Sequence, residues 1–228
     1  MRVFGPGPYR QESGPAHVTT HGQSLLQGPG ASRIKYAPSL CQPCNNARTQ
    51  PFDRAYDQFV RWLAENEDQV LRTRFIDFEQ IYGADFSNQQ RNLFRYFAKS
   101  FGCRLVDAGA AIPSDLIAIL LLDQFRTALR LTLAVDERIR PALGSHTNSF
   151  IGKGPLMEFR NLRVSRRRQY TWNEHLGWLR IHYWYDAWPH GSTGATWVAD
   201  AKYIYLGAVS GEPDASERGG AASVAPSV

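Results

Sequence analysis

Leu40-Cys41-Gln42-Pro43-Cys44-Asn45-Asn46-Ala47-Arg48 organises this chain. Two of its three cysteines stand here as C-x-x-C, followed at once by two asparagines and then a cation. The spacing lets two thiolates turn back onto one tetrahedral metal ion, zinc above all. The asparagine side chains suit a helix entry, because their oxygens accept orphan backbone N–H groups. The stretch therefore reads as a metal knuckle opening a helix.

The pattern L-C-x-x-C-N-x-x-[K/R] resembles the second half of the zinc-bound HNH (ββα-metal) endonuclease motif. The resemblance runs from Gly14 to Asn66, about a quarter of the chain. It implies a structural zinc on Cys41 and Cys44 and a general-base histidine in a hairpin, for which His17 is the match. It also implies that Asn45 orients the base or its loop and that Arg48 steadies a phosphate oxygen. A catalytic Mg or Mn ion, DNA as the partner and phosphodiester hydrolysis come with the same resemblance. Two features depart from the pattern. Ala16 replaces the acidic residue expected before the histidine, and no C-x-x-C precedes His17. Either the chain as given starts late, or this member has lost half of its zinc site and its activity.

Two other readings compete. One is a non-catalytic nucleic-acid-binding or interaction protein that retains the knuckle. The other treats C-x-x-C as a redox pair or a chance spacing. A thioredoxin-like pair belongs beside a strand opening a βαβ unit, whereas the flanks here are Pro38, Pro43 and two asparagines.

Upstream, residues 1–32 are rich in Gly, Pro, Ser and Gln, the composition of a poorly ordered segment. His17 and His21 punctuate it, as exposed imidazoles of a frayed end or as the remnant of a nuclease hairpin. Arg33-Ile34-Lys35-Tyr36-Ala37-Pro38 alternates basic with apolar residues, as a strand leading into the knuckle does. Arg33 and Lys35 then share one face, either touching nucleic acid or simply solvated.

Residues 33–145 form a knuckle plus helical core. Pro51 opens an amphipathic helix to Glu65, with Phe52, Tyr56, Phe59 and Leu63 at helical spacing. Val70 to Tyr82 reads as further helix ending near Gly83. Ser87 opens another that Gly102 stops, with Arg91, Arg95 and Lys99 along one side as a phosphate-facing row or a solvated face. Cys103 is expected as a small core residue. Ile112-Pro113-Ser114-Asp115 starts a central helix reaching Leu129, and Leu131 to Val135 is extended.

Residues 146–209 form an antiparallel β region. Leu179 to Tyr185 alternates with period two, and Trp197 to Leu206 is expected to return beside it. The arginines from Arg160 to Arg168 precede Trp172, Trp178, Tyr183, Trp184 and Tyr185. That run is either a base-stacking surface or ordinary strand pairing. Residues 210–228 are a low-complexity tail read as disordered. The fold class is thus α+β: a degenerate ββα-metal knuckle, a helical core and a C-terminal antiparallel hairpin or sheet.

With 43% hydrophobic residues the chain can bury a sizeable core. No apolar run is long enough to span a bilayer, so no membrane partner is expected. Three cysteines make no disulfide framework and fit a reducing, cytoplasmic setting. The balance of 26 basic to 21 acidic residues, net +5, is compatible with nucleic acid without requiring it.

Overall fold

The computed structural model describes residues 16–19, 22–25, 47–122, 125–139, 151–160, 168–187, 189 and 194–209. It is an α+β protein. β1 (Ala16–Thr19) and β2 (Gly22–Leu25) form an antiparallel hairpin that pairs His17 with Ser24. α1 (Gln50–Glu65) follows, with Pro51 in its first turn and Phe52, Ala55, Phe59 and Leu63 buried. Those positions recur every three to four residues, so one stripe of the helix enters the core. Asn66 closes α1, its backbone N–H and its side chain both donating to the Trp62 carbonyl.

The stretch expected as one helix from Val70 to Tyr82 is broken. α2 (Glu67–Thr73) stops at Arg74, whose φ of 56° is left-handed. β3 (Phe75–Asp77) then intervenes before α3 (Phe78–Tyr82), whose first turn is capped by the Asp77 carboxylate. The helical spacing was real, but Ile76 finds a better partner than local geometry offers. It pairs with Ile204 across a two-stranded ribbon, and both side chains are buried. Strand formation follows such packing more than local propensity.

α4 (Phe86–Asp107) does not stop at Gly102 but runs five residues further. A buried glycine costs a helix about 1 kcal/mol, too little to end one whose flanks pack well. The stop is Gly109, with φ of +70°. Its N–H donates to the Val106 carbonyl, and the Ala110 N–H donates to that of Leu105. This paired return is the Schellman closure that a left-handed glycine permits. Cys103 is half-buried within the helix, not in the core.

α5 (Ser114–Leu121) starts where Pro113 predicts but is short. Leu116 and Ile119 are buried, whereas Ile117 and Leu122 are exposed, so the helix lies along the rim instead of the centre. Asp115 pins it. One carboxylate oxygen accepts from Thr127 and the Ala128 N–H at 2.8 Å, and the other from the Tyr185 hydroxyl at 2.7 Å.

The remaining strands are β4 (Leu129–Asp136), β5 (Ile151–Lys153), β6 (Met157–Arg160), β7 (Arg168–Leu176), β8 (Leu179–Tyr185), β9 (Thr196–Trp197), β10 (Tyr203–Tyr205) and β11 (Gly207–Val209). The main sheet runs β11-β4-β8-β7-β5, with β6 also on β7 and β9 also on β4. All pairings are antiparallel except that of β11 with β4. Residues 197–206 therefore do not return beside β8, whose neighbours are β4 and β7. β10 instead pairs β3. Gly177, φ +57°, opens the two-residue turn that joins β7 to β8.

One face of this sheet carries Leu131, Leu133, Trp172, Ile181 and Tyr183 into a common core with α1, α3 and α4. Phe101 of α4 stacks on Tyr183, ring centroids 5.6 Å apart, and Phe78 of α3 stacks on Trp197 at 5.1 Å. The core is continuous from Ala55 to Leu206.

Candidate functional site

His17 lies on β1, opposite Ser24. Arg33, Lys35, Cys41, Cys44 and Asn45 lie outside the described residues. Arg48 is exposed two residues before α1, beside Thr49, which is buried. The Thr49 carbonyl accepts from the N–H groups of Phe52 and Asp53, closing the first helical turn. Its hydroxyl lies 3.2 Å from Lys99 Nζ, which also meets Asp53 Oδ1 at 2.5 Å. The exit of the C-x-x-C segment is thus held against α4, while Arg48 stands in solvent.

The cationic row on α4 has internal partners. Arg95 Nε donates to the Ile119 carbonyl at 3.0 Å, and its guanidinium lies over Phe52 and Phe125. Arg91 also lies over Phe125, at 5.5 Å from the ring centroid. With Lys99 on Asp53, Lys99 and Arg95 form a seam between α4 and its neighbours α1 and α5, while Arg91 is exposed. The aromatics proposed to stack bases are likewise taken: Trp172, Trp178, Tyr183 and Trp184 are buried. Tyr185 is half-buried and hydrogen-bonded to Asp115.

Two polar clusters on the sheet escaped the sequence reading. At the end of β4, Asp136 is buried and grips Arg138 with both oxygens, Oδ1 to Nε at 3.1 Å and Oδ2 to Nη2 at 2.9 Å. His175 Nε2 of β7 lies 3.1 Å from the same Oδ2, reaching past β8. Burial pushes the Asp136 pKa up, but the hydrogen bonds from Arg138 and His175 outweigh it and hold the carboxyl at about 2. Burial lowers the His175 pKa against the pull of Asp136. The pair joins β4 to β7 across the intervening β8, a clasp across the sheet.

The second cluster faces α4. Glu174 of β7 is buried directly opposite Lys153 of β5 and accepts a hydrogen bond from the Tyr183 hydroxyl of β8. Burial raises its pKa to about 7, with Tyr183 and Lys153 pulling the other way. Neither cluster adds a metal centre: among the described residues, no group of three or more His, Cys, Asp or Glu side chains is placed to hold an ion. No helix among them is long and apolar enough to cross a membrane.

In each cluster the sheet register brings in the distant member: His175 reaches Asp136 from 39 positions away, and Lys153 stands opposite Glu174. Comparison with protein-family models, curated proteins and solved structures returned no match.

Proposed function

We propose that the chain is an HNH-type endonuclease-like protein acting on DNA in a reducing, cytoplasmic setting. The observation carrying this reading is an order of parts. A hairpin bearing His17 precedes Cys41-x-x-Cys44-Asn45, and α1 opens five residues after Asn45. That is the order hairpin, knuckle, helix of the ββα-metal motif. Arg48 adds an exposed cation at the helix mouth, where backbone N–H groups already favour a phosphate.

In this reading Cys41 and Cys44 hold a structural zinc. Two thiolates are half of a tetrahedral shell, so the remaining donors come from residues beyond the described ones or from another chain. A Mg or Mn ion at the scissile phosphate supplies Lewis-acid stabilisation when bound. His17, as neutral imidazole, takes the proton from the attacking water. Asn45 orients that histidine or its loop, and Arg48 pairs with a phosphate oxygen. Arg33 and Lys35, just upstream, extend the contact along the backbone.

The test is nicking of supercoiled plasmid DNA in Mg²⁺ or Mn²⁺, with metal content measured on the same preparation. Wild type nicks and carries zinc, His17→Ala keeps the zinc but loses nicking, and Cys41→Ser loses both. Zinc together with salt-sensitive DNA binding but no cleavage assigns the chain to the non-catalytic alternative. Absence of both zinc and DNA binding overturns the proposal.

A further inference from the structure

The ribbon of β3 and β10 is two-sided. Ile76 and Ile204 point into the core, while Phe75, Tyr203 and Tyr205 lie on the other side, 45%, 48% and 52% exposed. Phe75 is central: its ring lies 5.9 Å from Tyr203 and 6.1 Å from Tyr205, tilted to both. This solvent face bears no aliphatic side chain; the fourth position, opposite Tyr203, is Asp77. Folding alone gives no reason to place three neighbouring rings in water, since threonine or lysine would serve a solvated strand as well.

Two cations neighbour the rings along the chain. Arg72, in the last turn of α2, is exposed three positions before Phe75. Lys202 adjoins Tyr203, its Nζ 5.2 Å from the ring centroid and hydrogen-bonded to Glu79. The ribbon itself is firmly based. The Leu206 N–H donates to the Arg74 carbonyl, the Phe78 N–H to that of Lys202, and Arg74 Nη2 meets Glu137 at 2.5 Å.

We propose that this face is a base-stacking platform for single-stranded nucleic acid. Phe75, Tyr203 and Tyr205 take the bases, and the exposed Arg72 meets a phosphate. Area separates this occupant from a folded protein or a second copy. Three half-exposed rings offer about 300 Å² in all, far below the ~800 Å² per partner of a stable protein interface. A base needs only one ring, and each stacked base contributes substantially on its own. Charge agrees: the chain is net +5. The platform stands apart from His17 and does not depend on the nuclease reading.

The experiment is fluorescence anisotropy of a labelled oligothymidine of roughly ten nucleotides, titrated with the full chain. The same length of abasic strand serves as the reference. Phe75→Ala and Tyr205→Ala each weaken binding about tenfold, and the triple variant with Tyr203→Ala binds the two strands alike. Tyr205→Phe, which keeps the ring, stays within about twofold of wild type. All these side chains are half in water, so near-UV circular dichroism of the tryptophan core should be unchanged. His17→Ala retains the platform while losing nicking, which separates the failure of one proposal from that of the other. Equal affinity of wild type for both strands, or unchanged oligothymidine affinity in the triple variant, overturns the platform. So does a triple variant that alters only the sedimentation behaviour, since the rings would then be a protein contact.

Discussion

Lys99 of α4 joins Asp53 in the first turn of α1, Nζ to Oδ1 2.5 Å, with the Thr49 hydroxyl as a second acceptor. A cation that reads as a ligand for phosphate is thus a strut between two helices. Its ammonium is largely covered while Asp53 is partly exposed, so solvent screening trims the pair. Lys99→Met is expected to lower stability by about 1 kcal/mol in urea melts. It should leave the salt dependence of DNA binding unchanged, and a slope reduced by about one would restore the phosphate role.

The ribbon rests on Ile76 and Ile204, which are paired and buried. Ile204→Ala is expected to cost about 2–4 kcal/mol, because the deleted methyls leave a cavity between ribbon and core. Phe75→Ala, on the opposite side, should cost under ~1 kcal/mol. Equal losses at the two sites would mean that the ribbon is not two-sided in solution.

Glu174 makes stability fall on the alkaline side. Its folded pKa of about 7 is raised above the ordinary carboxyl value of 4.5. The folded state therefore prefers the protonated acid. The contribution is fully present below pH 4.5 and is lost as pH rises through about 7. Glu174→Gln should flatten that slope and gain on the order of 3 kcal/mol above neutrality relative to wild type. Thermal melts between pH 5 and 8 read it, and parallel curves for the two proteins would refute the assignment.

Asp136 acts in the opposite window. Its folded pKa of about 2 lies below the ordinary 3.8, so its contribution is present above 3.8 and is lost as pH falls through about 2. The loss is on the order of 2 kcal/mol. Asp136→Asn should remove this acid limb and destabilise the protein by about 3 kcal/mol at neutral pH, because Arg138 and His175 lose a buried anion. Acid titration of wild type and variant, followed by tryptophan fluorescence, checks both parts.

Gly109 closes α4 with φ +70°, where a β-carbon meets no neighbour but the backbone is strained. Gly109→Ala should cost about 1 kcal/mol. Gly102→Ala, inside the helix with open space around the new carbon, should gain a few tenths or more. The contrast in chemical denaturation tests which glycine is the terminus.

The elements legible in the sequence are those whose own periodicity decides them. α1 carries its apolar stripe and its proline, α5 announces its start at Pro113, and β8 alternates cleanly. β7 was not legible because Glu174 occupies a core-facing position and breaks the apolar alternation of Tyr170 and Trp172. The outward residues of β8, His182 and Trp184, are also buried, so its period-two pattern does not mean one wet face. β3 was hidden inside helical spacing, and its identity rests on a partner far along the chain. Of the candidate site, the order of hairpin, C-x-x-C and helix can be read from spacing. The polar clusters and the exposed rings cannot, since sheet register brings in their distant members.

Phe75 to Asp77 waits for Tyr203 to Tyr205, about 130 positions later, and β4 waits for β11 at Gly207 to Val209. A nascent polypeptide must therefore emerge past residue 205 before α2 and α3 can settle around β3. Until then α2 and α3 lack the strand that separates them, and Ile76 has nothing to lean on. Synthesis halted before residue 203 should yield a protease-sensitive product prone to clumping, and release of β10 and β11 should convert it in one slow step.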